Sequence, residues 1–344
     1  MESTAPSWPL QRSSSGMTFG FRVPHFGPHA TPERIVQFSR HAEELGFDAV
    51  WVRDHLLWHP HAHEDQTVTA FIEPLITLAA IGAVTTRMTL GTAVMIPIRN
   101  PLKAAQELAS LSFLTGGRLM VGVGAGHDRA ELEAAGVAPE QAHQAAVETI
   151  NLMRRLWADD HVSFEGQVYR VNDATQHPKP VKPIPVLYGG PSRRAVRLAV
   201  ENADGWISGN MPFDTLDDRL AYLKKLTTGS DRRFFLMAAP RTIIDLDREK
   251  ARSGINVEHM VHDGVQHWLP PRSGSYSTLD DIRGFVLAGD PDDIVHEVLE
   301  FAGRGMDHFV FDVRGQFNRF EETMELIAKR VLPKLRTASA VTTP

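Results

Sequence analysis

Thr31-Pro32-Glu33-Arg34-Ile35-Val36-Gln37-Phe38-Ser39-Arg40-His41-Ala42-Glu43-Glu44-Leu45-Gly46 runs directly into Phe47-Asp48-Ala49-Val50-Trp51-Val52-Arg53-Asp54-His55. The first stretch carries the punctuation of a helix. Thr31 can cap it, Pro32 suits the first helical position, Ile35, Phe38, Ala42 and Leu45 line one face, and Gly46 stops it. Ala49–Val52 is a short apolar run of strand length, and an uninterrupted apolar strand is one buried on both faces, as in a parallel sheet. A helix delivering the chain into such a strand is one unit of an α/β fold.

The same alternation extends in both directions. Strands are expected at Phe19–Val23, Ala49–Val52, Met88–Met95, Leu119–Val123, Pro185–Tyr188, Gly205–Ser208, Phe234–Arg241 and His308–Asp312. Eight units suit a closed (β/α)8 barrel, the TIM-barrel architecture. Between them, Val147, Ile150, Met153 and Trp157 mark one helix. Another has Asp290 as cap, Pro291 at its start, Ile294, Val298 and Phe301 as its stripe and Gly303 as its stop. These stripes read as core packing against the barrel. Two connections break the rhythm: Arg53 to Ile72 after the second strand, and Ile244 to Ala288 after the seventh. Both follow strand C-termini, the face where barrels build their sites, and loops of that size are usually functional.

Composition narrows the function class. The 344 residues are 42% hydrophobic and 23% charged, enough for a sizeable core. Acidic residues outnumber basic ones 42 to 36, so no electrostatic footprint for nucleic acid is present. The chain has no cysteine, which removes disulfides and thiolate chemistry and fits a cytoplasmic location. No run approaches the roughly 18 apolar residues that a membrane span needs. Residues 1–16, rich in Ser and Pro, read as a flexible leader, residues 17–336 as one barrel domain and residues 337–344 as a flexible tail.

Several constellations could carry chemistry. Asp54 and His55 sit just past a buried strand, where a carboxylate beside an imidazole can fix its tautomer and serve acid/base chemistry; alternatively Asp54 caps a turn and His55 packs. Gly122-Val123-Gly124-Ala125-Gly126 is a glycine-rich strand exit, but His127 stands where the dinucleotide fingerprint needs its third glycine. Gly189-Gly190-Pro191-Ser192 opens a helix containing Arg193, Arg194 and Arg197, an arrangement suited to a phosphate or else a plain capped helix. His59, His61 and His63 alternate in the first long loop and read better as lid residues than as metal ligands, so no metal is expected. His25, Phe26 and Trp58 follow the first two strands and are candidate substrate contacts.

Taken in order, Ala42-Glu43-Glu44-Leu45-Gly46-Phe47-Asp48-Ala49-Val50-Trp51, Asp54-His55, Leu90-Gly91-Thr92, Arg99-Asn100-Pro101, Gly116-Gly117-Arg118-Leu119, Gly189-Gly190 and Ala203-Asp204-Gly205-Trp206 resemble the bacterial luciferase-like family of barrel oxidoreductases, from about Phe19 to Leu332. The glycine-exit strand with Asp-His after strand two is most similar to members using the deazaflavin coenzyme F420; members using reduced FMN as monooxygenases are the alternative, and a non-catalytic flavin-binding barrel a more distant one. The resemblance implies hydride transfer to or from a small organic substrate, a homodimer, and a non-prolyl cis peptide near Ala93–Val94. It places the cofactor ring among Asp54, His55, Thr92, Ala93, Val94, Gly124, Ala125 and Gly126, and its phosphate at Gly189, Gly190, Pro191 and Ser192. Ala125 stands where relatives that oxidise sugar phosphates carry a proton-donating glutamate. That departure moves proton transfer to His55, with Asp54 beside it and His127 or Asp128 in reserve.

Overall fold

The computed structural model describes residues 8–10, 16–57, 70–261 and 267–341. The chain alternates strand and helix: β1 (Thr18–Arg22), α1 (Phe38–Glu44, entered through a π-helical turn at Glu33–Gln37), β2 (Ala49–Val52), α2 (Pro74–Val84), β3 (Thr89–Met95), α3 (Pro101–Leu114) and β4 (Leu119–Val123). Then come α4 (Arg129–Ala134), α5 (Ala142–Ala158), a hairpin of β5 (Val162–Glu165) and β6 (Arg170–Ala174), β7 (Val186–Gly189), α6 (Arg193–Asn202), β8 (Gly205–Ile207) and α7 (Phe213–Thr227). The last third holds β9 (Phe235–Ala238), β10 (Arg241–Ile244), α8 (Arg248–Ser253), α9 (Val257–Val261), β11 (Val286–Gly289), α10 (Pro291–Gly303), β12 (His308–Phe311), α11 (Phe320–Leu326) and α12 (Leu332–Val341). Strands β1, β2, β3, β4, β7, β8, β9 and β12 pair in parallel in that order and close into a barrel, because β1 bonds to both β2 and β12. The (β/α)8 expectation is met.

Side-chain size explains how the barrel fills. Ala49, Trp51, Met120, Leu187, Ile207, Phe235, Met237 and Val310 form its interior cluster. Trp51 is the bulkiest of them, and neighbouring strands make room: a Cβ at Gly20 would lie 2.8 Å from His308 Nε2 and 3.0 Å from Trp51 Nε1. Outward-facing residues of the same strands pack on the helices in a second, larger cluster.

Four expectations require correction. The seventh apolar run is not one strand: β9 ends at Ala238, and Arg241–Ile244 leaves the barrel to pair in parallel with β11. Pro240, with no N–H to give a ladder, stands at the break. The segment from Ile244 to Ala288 is therefore bracketed by a two-stranded sheet and contains α8 and α9, rather than being irregular throughout. Within the stretch read as a loose leader, the described residues 8–10 pack at the strand N-termini: Trp8 stacks on Phe235 with ring centroids 4.7 Å apart, and Leu10 is buried. The expected tail is helical as far as Val341. The β5–β6 hairpin escaped notice because most of its side chains are polar and exposed, so its alternation carries little apolar signal.

Candidate active site

The C-terminal ends of the strands bring together three groups of residues. The first lies at the exit of β2. His55 Nδ1 is 3.0 Å from Glu131 Oε2, on the first turn of α4, and the other oxygen of Glu131 accepts from the backbone N–H groups of Leu56 at 2.6 Å and Leu57 at 3.0 Å. Burial acts against the Glu131 charge, but the hydrogen bonds from His55, Leu57 and Leu56 outweigh it and hold the pKa at about 2. His55 Nε2 lies 3.2 Å from Arg53 Nη2; a guanidinium can only donate, so in the neutral ring Nε2 holds the lone pair and Nδ1 the proton.

Asp54 points elsewhere. Its carboxylate meets Arg99 Nη2 at 2.6 Å and accepts from the N–H of Ile96 at 3.2 Å, while Arg99 also reaches Glu73, the N-cap of α2, at 2.8 Å. Burial raises the Asp54 pKa against the pull of Arg99. The pair thus braces β2 against the β3 exit, and Asp54 is not the carboxylate that orients His55. His25 is wholly buried: its Nδ1 lies 3.0 Å from the carbonyl of Val23, and its Nε2 accepts from the N–H of Arg53 at 3.3 Å, with burial lowering its pKa to about 4. It ties the ends of β1 and β2 together and offers no face to a ligand in this conformation. Phe26 stacks on Phe71 at 5.5 Å, and Arg53 lies 4.8 Å over the Phe26 ring. Bonds from Ile72 N to His25 O and from Gly27 N to Ala70 O pin the end of the long loop to the β1 exit. Trp58, and with it His59, His61 and His63, lies outside the described residues.

The second group centres on a bulge in β3. The Ala93–Val94 peptide is cis, and the register with β4 shifts between Thr92 and Met95. Thr92 Oγ1 donates to Gly122 O at 2.9 Å, and Arg22 Nη1 donates to Ala93 O at 3.3 Å. Val94 lies against the exits of β4 and β7: a Cβ at Gly124 would come within 2.7 Å of one Val94 methyl, and a Cβ at Gly189 would be closer still to the other. Both glycines are required for the bulge to seat. Gly126 adopts φ +74 beside Ile96, while Ala125 packs with Leu132, Val137, Ala142 and Ala145 under α4. His127 is exposed, and Asp128 caps α4 through the Glu131 N–H at 2.8 Å.

The third group is the loop Gly189–Ser192. Gly190 (φ +148) has its carbonyl held by the indole N–H of Trp206 at 2.9 Å, and Arg219 Nε holds the carbonyl of Pro191 at 2.9 Å. Peptide planarity then turns the Ser192 N–H away from Arg219. Ser192 caps α6 by accepting from Ala195 N at 3.1 Å, at the positive end of the helix. Arg194 lies close enough that, after burial, its charge is the next influence lowering the pKa of His143, whose Nδ1 meets the Tyr188 hydroxyl at 2.8 Å.

Glu131 and Arg22 were not singled out from the sequence, and Arg99 entered only as part of a segment resembling the family, with no role given to it. Glu131 occupies the third helical position after an Asp cap, a pattern that reads as a capping box, yet its side chain reaches across to the β2 exit.

Known proteins match this architecture. The luciferase-like monooxygenase family model covers residues 14–308. The F420-dependent glucose-6-phosphate dehydrogenase of Nakamurella multipartita is 31% identical over 92% of this chain and 96% of its own length. That of Intrasporangium calvum is 31% identical over 89% and 95%. Among solved structures, an F420-dependent secondary alcohol dehydrogenase bound to an F420–acetone adduct superposes with a TM-score of 0.77 at 20% identity, covering 93% of this chain and 99% of that one. A monooxygenase from Streptomyces bottropensis gives 0.73 at 23% identity, covering 92% and 99%, and at such identities both speak for the fold. No helix among the described residues is long and apolar enough to cross a membrane. With the family model spanning most of its length on a closed parallel barrel, the chain belongs to the luciferase-like monooxygenase family.

Proposed function

We infer that the protein is a coenzyme F420-dependent oxidoreductase that moves a hydride between the deazaflavin and a small organic molecule. The carrying observation is the seat around Val94, where the β3 bulge needs bare glycines at the ends of both β4 and β7. Relatives of nearly the same length that are named for F420 support the choice of cofactor. Thr92, Ala93, Val94, Gly124, Ala125 and Gly126 would border the ring, and Gly189, Gly190, Pro191 and Ser192 would take the phosphate at the head of α6. When bound, the deazaflavin supplies the carbon that gives or takes hydride; the chain contributes orientation and a proton route. His55 holds or releases that proton at Nε2, with Asp54 bracing its loop and His127 in reserve. Phe26 borders the substrate side with His25 buried behind it, and Trp58 is assigned to the same side.

Glucose-6-phosphate, the substrate in the relatives' names, is the first to test, although Ala125 marks a departure from the sugar-phosphate pattern. We place the enzyme in the cytoplasm as a homodimer. The outer face of α2, where Ile76, Ala79 and Ala83 are exposed, carries no polar side chain and suits burial against a second copy. Light scattering on the purified protein tests the dimer. The cofactor is tested by fluorescence titration of the full chain with F420 and with FMN. F420 should bind at least tenfold more tightly; the opposite preference, with oxygen consumption, would overturn the assignment in favour of an FMN monooxygenase.

A further inference from the structure

We propose that Glu131 is a positioning residue for the reaction inferred above: from α4 it holds His55 in the tautomer whose Nε2 carries the lone pair, and it fixes the loop on which His55 stands. The role rests on that functional reading; the geometry behind it does not. Three donors converge on one carboxylate with no solvent exposure: the N–H groups of Leu56 at 2.6 Å and Leu57 at 3.0 Å on Oε1, and His55 Nδ1 at 3.0 Å on Oε2. An ionised carboxylate accepts only, so Nδ1 must donate, and a neutral imidazole with Nδ1 protonated leaves Nε2 as its base. Asp128 fixes the Glu131 backbone by capping α4. Asp54, the nearer carboxylate in sequence, is committed to Arg99. Among the described residues, the charged groups within hydrogen-bond reach of the His55 ring are Glu131 on Nδ1 and Arg53 on Nε2.

Glu131→Gln separates orientation from anchoring. The two backbone donors retain the remaining oxygen, so the new NH2 faces His55 Nδ1, which must then accept; the proton moves to Nε2, and the Arg53 guanidinium, which can only donate, is displaced from that nitrogen. In the full-length protein with 15N-labelled histidine, the His55 ring, assigned by its loss in His55→Gln, should show Nδ1–H in the wild type and Nε2–H in Glu131→Gln. Turnover should fall on the order of 100-fold, as when a positioned base is lost, while F420 affinity and KM stay within about twofold. A purely structural anchor would raise KM or weaken F420 binding and leave the tautomer unchanged. An Nε2–H ring in the wild type overturns the proposal, whether or not the variant folds; so does unchanged turnover in a folded Glu131→Gln. The NMR experiment needs no cofactor, so failure of the wild type to bind F420 would strike the functional reading and not this pair.

Discussion

Two imidazoles at opposite ends of one barrel carry their proton on the same ring nitrogen and are put to different uses. His308, in the interior near the strand N-termini, accepts the Trp51 indole N–H on Nε2 at 2.9 Å; its Nδ1 lies 2.8 Å from Thr18 Oγ1, whose hydroxyl donates to Asp307 O at 3.2 Å. Every partner is neutral, the ring is fully buried, and burial lowers its pKa to about 3. His55, at the mouth, donates from the same Nδ1 to the ionised carboxylate of Glu131. The tautomer alone therefore does not make a catalytic histidine; what sets His55 apart, on the function proposed above, is the ionised carboxylate behind it.

The largest expected effect tests that contrast directly. Replacing His55 by Ala should lower turnover on the order of 1000-fold while F420 affinity changes little, the cost of losing a positioned acid/base group. His308→Gln should leave turnover within about twofold. Steady-state rates and a fluorescence titration on both variants check this, and equal losses of turnover would dissolve the distinction between mouth and floor.

Acid pH should act through two buried rings, one at each end of the barrel. His25 and His308 have folded pKa values of about 4 and about 3, below the ordinary 6.5, so from pH 6.5 downward the unfolded chain binds more protons than the folded one. Their contribution to stability is complete above pH 6.5 and is lost as pH falls, by roughly 2 kcal/mol per ring at pH 5. Urea unfolding at pH 7, 6 and 5 should show this slope, and His308→Gln should remove about half of it. A flat profile would mean that these rings are not held neutral.

The barrel was legible because parallel strands buried on both faces leave uninterrupted apolar runs, and Ala49–Val52 and Leu119–Val123 stand where expected to the residue. What escaped notice depends on contacts distant in sequence. Glu131 lies 76 positions from His55, and nothing local separates a glutamate that reaches across from one that caps its own helix. Asp54 looked like the partner of His55 because it is adjacent, yet successive residues leaving a strand point to opposite sides, and Asp54 turned to Arg99. Trp8 was hidden for a similar reason: one aromatic residue in a Ser/Pro-rich stretch has no periodicity to announce that it packs under the barrel.

Trp8 supplies the next test. Truncating it to Ala removes the ring that stacks on Phe235 and over which Arg233 lies at 5.5 Å, which should cost about 3 kcal/mol of stability. Turnover below the melting transition should not change. A variant with unaltered denaturant midpoint would return residues 8–10 to a loose leader.

The smallest expected effect concerns the seat at the mouth. In Gly189→Ala the new methyl collides with Val94 in the β3 bulge, and relief requires the valine or the β7 exit to shift. Overpacking of this kind costs about 1–2 kcal/mol. If Val94 is the surface against which the cofactor ring rests, F420 affinity should fall by a similar factor, roughly tenfold. The collision is with a side chain, so Val94→Ala should absorb it. The double variant should then be more stable than the sum of the single losses, a coupling expected only between residues in contact. Additive losses would place Gly189 and Val94 apart, and the two strand exits would no longer form one site.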